Sequence, residues 1–232
     1  NLIPNMKATK FIKSWINANI DCGNLNSASL LYRGPSDNTF IDTTSSFQMD
    51  FNLIDSCLKF TSMNINEIAL FGEVDNASFK GMLTKANVFD SETISDIEIS
   101  RDINNIYNLS IKGESHGPVS SILDLYTAYN SSFVDSVYSG EHLTEFSFYT
   151  PLVNSFDLLE KSSLLEVKTS ISDTSLVLID NNFLLKNLEA SLNYNSSEGF
   201  KKSSLSFDIN SVPLQFDLST KIIGKKHSSV IT

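Results

Sequence analysis

The chain has 232 residues, a formal net charge of −10, 41% hydrophobic residues and only 19% charged ones. That length allows one large β domain or two small ones. The acidic balance argues against a nucleic-acid partner, since phosphate binding takes clustered Lys and Arg; Lys201-Lys202 and Lys225-Lys226 read as solvated loops.

In chain order, "KATKFIKSWINANI" (7–20) places Phe11, Trp15 and Ile20 on one side, with Thr9 as N-cap, and predicts a short amphipathic helix. "NLNSASLLYRG" predicts a strand. "SSFQMDFNLI" alternates strictly, with Phe47, Met49, Phe51 and Leu53 on one face and Gln48, Asp50 and Asn52 on the other. "CLKFTS" reads as a separate short strand. "EIALFGEV", "GMLTKANVF" and "ISDIEIS" continue the β pattern, parted by turn-like "DNAS" and "DSET". "YNLSIKGESHGPVSSILDLYTAYN" (107–130) starts as a strand through Leu109 and Ile111. It is expected to break at Gly113 and at Gly117-Pro118, with Pro118 in the first turn of a helix over 118–129.

The second half repeats the programme. "TEFSFYT", "LLEVKTSIS", "SLVLID", "NLEASLNYN", "SSLSFDI" and "PLQFDLS" each alternate. Aligning Phe79 with Phe200 gives an offset of 121 residues, and Phe51 with Thr169 gives 118. The expectation is a tandem repeat of about 115 residues. Its units are 1–116 and 117–232, continuous in one sheet. On this reading the helix near 118 opens the second unit and covers an end or edge of the sheet.

Nothing in the chain calls for an enzyme, a cofactor or a metal. His116, His142 and His227 have no partner at metal-ligand spacing, and His116 reads as a turn residue. GxSxG, P-loop and GxGxxG strings are absent. Asp96/Glu98 and Asp50/Asp55 read as solvated faces rather than an acid/base pair. Cys57 reads as a small strand residue, with a bridge to Cys22 left open for an oxidising compartment. No signal peptide and no apolar run of about 20 residues is present, and the chain is expected to be an internal piece of a longer protein.

The string "IPNMKATKFIKSWINANIDCGNLNSASLLYRGP", then alternating strands, then the 107–130 stretch, resembles the YhdP-type branch of the AsmA-like proteins. The matching residues are Trp15, Gly23, Ala28, Leu30, Gly34, Leu109, Ile111, Gly113, Gly117, Pro118, Leu123 and Leu125. "LKNLEASLNYNSSEGFKKSSLSFDINSVPLQFDLST" resembles that family's recurring later segment, whereas "NSSFVDSVYSG" departs from it.

The resemblance implies a bridge-like lipid carrier: an elongated, curved antiparallel sheet folded into a U-shaped groove, a β-taco, with two short amphipathic helices. It implies a periplasmic location in a protein anchored to the inner membrane of a Gram-negative bacterium. Phospholipid would be the partner, and both membranes would be reached through parts outside this chain. The expected groove lining is Phe47, Met49, Phe51, Ile97, Ile99, Leu109, Ile111, Phe146, Phe148, Leu165, Val167, Leu176, Leu178, Leu205, Phe207, Leu214 and Phe216. Alternation alone fits equally a closed sandwich whose inner faces pack together. That leaves a structural or assembly-factor module with a filled core as the alternative function.

Overall fold

A computed structural model describes residues 20–33, 46–60, 63–75, 78–103, 106–127, 134–152, 163–178, 183–223 and 226–231. The first expected helix, with Trp15, lies outside the described residues, as do Gly34 and the side chain of Phe47.

Strict alternation over long stretches produces long strands. They are β1 (Ile20–Arg33), β2 (Ser46–Phe60), β3 (Met63–Asp75), β4 (Phe79–Val88), β5 (Ser91–Arg101) and β6 (Tyr107–Pro118). One helix, α1 (Val119–Thr127), follows. Then come β7 (Val134–Leu152), β8 (Leu164–Leu178), β9 (Leu184–Asn195), β10 (Gly199–Phe200), β11 (Ser203–Ile209), β12 (Val212–Ile223) and β13 (Lys226–Ile231). All thirteen belong to one antiparallel sheet in which consecutive strands are neighbours, β10 and β11 both pairing with β9. The sheet is curved and unclosed, with β1 at one end of the order and β13 at the other. Among the described residues there is no second sheet to make a sandwich.

Tight connections set this meander. Phe89 and Asp90 both have positive φ, as do Asn210 and Ser211, and two such residues close a hairpin with the twist its strands need. Asp75 Oδ1 accepts from the Ser78 amide at 2.7 Å. Within strands, single residues at positive φ mark bulges, at Asp55 in β2, Glu67 in β3, Asp173 in β8 and Asn187 in β9. The ladder shifts register beside each of them. Such bulges bend and twist a sheet locally, which is how a long meander becomes curved.

Several local expectations are corrected. "CLKFTS" is not a separate strand, because β2 runs on through the Asp55 bulge. Strand β6 does not break at Gly113 or Gly117. A Cβ on Gly113 would meet Ser95 and the Phe146 ring, and one on Gly117 would meet Ser91, so both glycines serve close approach inside the strand. Pro118 is the last strand residue, paired with Glu141, and the helix begins at Val119. His116 sits in β6 opposite Leu143 and Glu92, not in a turn.

The packed core lies at one end of the strands. Val134, Leu176, Leu185 and Leu188 are buried together, with Leu123 of α1, Val137, Ile171, Leu178, Leu205, Phe207 and Ile209 against them. Helix α1 lies on this end, its principal contacts being with β7 and β6. Its Val119 is buried and its Asp124 exposed, as amphipathic spacing requires.

Candidate functional site

Cross-strand register builds the two faces of the sheet row by row. Gly81, Ile97, Ile111, Phe148 and Leu165 stand opposite one another from β4 to β8. The next row contains Phe79, Ile99, Leu109 and Thr150. On the other side of the first row stand Leu70, Leu83, Ser95, Gly113, Phe146, Val167 and Tyr194. Met49 and Phe51 extend the face to β2, opposite Val74 and Gly72. Apart from buried Leu109, the large apolar side chains of these rows are half-buried: shielded by neighbours within the sheet yet open on one side.

Aromatic rings flatten this floor. Phe51 lies at Gly72 and Phe146 at Gly113 across the ladder, and Phe79 at Gly81 two residues along β4, each ring in the space that a side chain on the glycine would fill. Phe51 and Phe79 stack with centroids 6.4 Å apart.

The expected lining therefore divides into two environments. Met49, Phe51, Ile97, Ile99, Leu109, Ile111, Phe146, Phe148, Leu165 and Val167 belong to the floor. Leu176 is buried in the core beneath α1, and Leu178, Leu205 and Phe207 pack against it. Leu214 and Phe216 of β12 stand opposite Phe207 and Leu205, with the Phe207 and Phe216 rings 5.6 Å apart. Phe47 stands opposite Tyr32 on β1. Leu70, Phe79, Leu83 and Tyr194 carry the same alternation signal and extend the floor beyond the expected lining.

A row of hydroxyls borders the floor on the helix side. Thr93 donates to Ser115 at 3.1 Å, and Thr144 and Thr169 lie 3.1 Å apart. His142 Nδ1 is 3.0 Å from Thr144 Oγ1. Beyond it, His142 Nε2 lies 2.8 Å from Ser91 Oγ and 3.1 Å from Ser121 Oγ. Ser121, in the first turn of α1, also donates to the Pro118 carbonyl at 2.6 Å. Ser91, Ser121 and His142 are each under 5% exposed. Burial, and secondarily the charge of His116, hold the His142 pKa below the ordinary histidine value. Ser beside His suggests a nucleophile, but here Thr144 takes the second ring nitrogen, where a carboxylate would stabilise an imidazolium. The cluster is sealed and fastens α1 to β5 and β7. No local spacing in the sequence announces it, because its members come from three elements.

The opposite face is charged. Asp96, Lys112, Ser147 and Glu166 form one row, and Ile94, Glu114, Glu145 and Lys168 the next. Met82, Ile94 and Leu143 are exposed on it. A cavity of about 650 Å³ over these strands is lined by Met82, Ile94, Lys112, Glu114, Glu145 and Lys168 among others. The Lys168–Glu145 and His116–Glu141 pairs, at 3.8 and 3.6 Å, are exposed and contribute little to stability.

At the β1 edge, Cys22 and Cys57 form a disulfide, so the bridge left open by the sequence is the one observed. Among the described residues no group of three or more His, Cys, Asp and Glu side chains could hold a metal ion, and no helix is long and apolar enough to cross a membrane. No family model, curated protein or solved structure matches the chain.

Proposed function

We propose that this chain is a segment of a bridge-like lipid carrier, in which the apolar floor of the sheet conducts phospholipid acyl chains. The observation that carries this reading is the apolar floor, which no second sheet covers among the described residues. Rows of Ile, Leu and Phe cross consecutive strands from β2 to β9 on one face of an unclosed sheet. An acyl chain laid on them gains about 25 cal/mol for each Å² of apolar surface withdrawn from water. Movement across the strands meets mainly apolar side chains, with Ser95 and Thr150 as buried polar members of the rows, while the hydroxyl row and the α1-covered core bound the path on one side. The likeness to YhdP-type AsmA-like proteins fits this reading, with a periplasmic location and membrane attachment through other parts of the protein.

The same reading includes a tandem repeat with units 1–116 and 117–232. Its support is backbone detail that no alternation demands. Gly23 and Gly140 have φ of +144° and +120°, and Ser56 and Thr174 occupy the space beside them. Positive φ recurs at Asp55 and Asp173, at Glu67 and Asn187, and at the turns Phe89-Asp90 and Asn210-Ser211. The separations are 117, 118, 120 and 121 residues, close to the offsets read from the sequence.

The test is the lipid content of the purified protein by mass spectrometry, beside a Phe148→Asp variant. Phe148 faces Ile111 in the middle of the floor. A carboxylate there is strongly disfavoured against hydrocarbon. Co-purified phospholipid that falls several-fold in a folded variant is the expected result. Absence of lipid from the wild type, under conditions where an established carrier retains it, overturns the proposal. So does unchanged lipid in the folded variant.

A further inference from the structure

The face opposite the floor carries the more exposed apolar residues. Phe71, Met82, Ile94 and Leu143 are 41–50% exposed there, whereas the large side chains of the floor are half-buried or buried. The four lie along one diagonal of the sheet. Phe71 of β3 stands opposite Met82 of β4, and Met82 opposite Asp96 of β5. Ile94 is two residues along β5 from Asp96, hence on the same face, and stands opposite Glu114 of β6. His116, two residues further along β6, stands opposite Leu143 of β7. A recess of about 650 Å³ lies beside Met82 and Ile94. Scattered exposed apolar residues are ordinary, but an aligned set rimmed by polar groups marks an interaction site.

Charge narrows the kind of partner. In three adjacent rows from β4 to β8, Asp96, Glu98, Glu114, Glu145 and Glu166 outnumber Lys80, Lys112 and Lys168. Among the described residues only Glu145 of these carboxylates has an ion pair, with Lys168. Such a face repels an anionic bilayer or a nucleic acid and attracts Lys and Arg. Backbone pairing narrows it further. Strands β3 to β7 each pair with a neighbour on both sides, so a segment laid across them cannot join the sheet as a strand. It must satisfy its own backbone groups, as a helix does. The diagonal crosses four interstrand steps and two rows, about 20–25 Å, which is the length of roughly 15 helical residues.

We propose that this diagonal is the docking surface for a basic amphipathic helix of a protein partner. The apolar side of that helix seats on Phe71, Met82, Ile94 and Leu143, and its flanking Lys or Arg residues meet Asp96, Glu98 and Glu114. Apolar contact supplies the affinity, and the carboxylates set orientation and encounter rate. The surface is the reverse of the floor and does not depend on what the floor carries.

The probe is a fluorescein-labelled helical peptide of about 15 residues with Leu on one side and Lys on its flanks, followed by anisotropy with the full chain at low and high salt. Met82→Ser/Ile94→Ser should weaken binding by roughly tenfold or more. Asp96→Asn/Glu114→Gln should weaken it by about threefold to tenfold at low salt and reduce its salt dependence. Asp90→Asn/Asp217→Asn removes two exposed carboxylates elsewhere and should change binding by less than about twofold. All these positions are exposed, so circular dichroism should be unchanged. Because Cys22 and Cys57 are joined, Ile94→Cys adds a single free thiol. A maleimide should modify that thiol readily, and the peptide should slow the reaction at least about fivefold. No binding by the wild type, an equal loss in the Asp90/Asp217 control, or a thiol that the peptide leaves unprotected overturns the proposal. So do phosphatidylcholine vesicles that protect the thiol where the peptide does not, an outcome that would assign the diagonal to a membrane.

Discussion

The ring of Phe146 lies across Gly113 on the neighbouring strand, its Cζ 2.8 Å from the point where a glycine side chain would begin. The Ile94 carbonyl and the Ser95 side chain close the remaining space. Gly113→Ala therefore requires the ring to swing away and the backbone to shift, at about 1–3 kcal/mol. Chemical denaturation measures the loss. In the double variant with Phe146→Ala the two costs should fall short of adding, because the clash with the ring is then gone. Full additivity would refute the contact.

Leu164 and Leu165 are adjacent in β8 and face opposite ways. Leu164 is 46% exposed on the charged side, whereas Leu165 is half-buried opposite Phe148 on the floor. Leu164→Asp should change stability by no more than about 0.5 kcal/mol, and Leu165→Asp should cost about 1–2 kcal/mol. An open floor lets the new carboxylate keep some water, so Leu165→Asp should still fold. Complete unfolding would indicate a sealed interior at that position.

Leu176 provides the contrast. It is 6% exposed in the cluster beneath α1, so Leu176→Ala leaves a cavity and should cost about 2–5 kcal/mol. Leu165→Ala, on the floor, should cost clearly less. Melting curves of the two variants check the difference between the packed cluster beneath α1 and the half-buried floor.

His142 makes the attachment of α1 depend on pH. Its pKa is lowered in the folded chain, by burial first and by His116 second. Above the unfolded value of about 6.5 the residue is neutral in both states and its contribution is complete. As pH falls below that value the unfolded chain takes up a proton that the folded chain refuses, so stability declines until the lowered folded pKa is reached. His142→Gln should flatten this part of the stability profile. Because Ser91 and Ser121 meet the same ring nitrogen, amide exchange in α1 should rise over the same interval.

The sequence by itself determined the strand-rich class, the helix near 119 and the connection at Asp75–Ser78, but not the breaks expected at Gly113 and Gly117, where β6 runs on. The physical reason is that each is local. Leu109 and Ile111 alternate with Asn108 and Ser110 because side chains in a strand alternate faces, and Val119, Ile122 and Leu123 recur as a helix requires. Bulges were less legible. Residue 55 looked like a strand end, whereas in the folded chain Asp55 at positive φ carries β2 onward to Phe60. The tertiary structure alone decided which apolar residues share an environment. Ile111 and Leu176 both sit in alternating strands, yet Ile111 is on the floor and Leu176 lies in the core beside Val134, Leu185 and Leu188. That division depends on where α1 and the strand ends come together, a long-range outcome that alternation cannot encode. The same holds for Cys22 with Cys57 and for His142 with Ser91 and Ser121, whose meetings depend on strand register. Register is set by turns and bulges along the whole meander, not by the residues that meet.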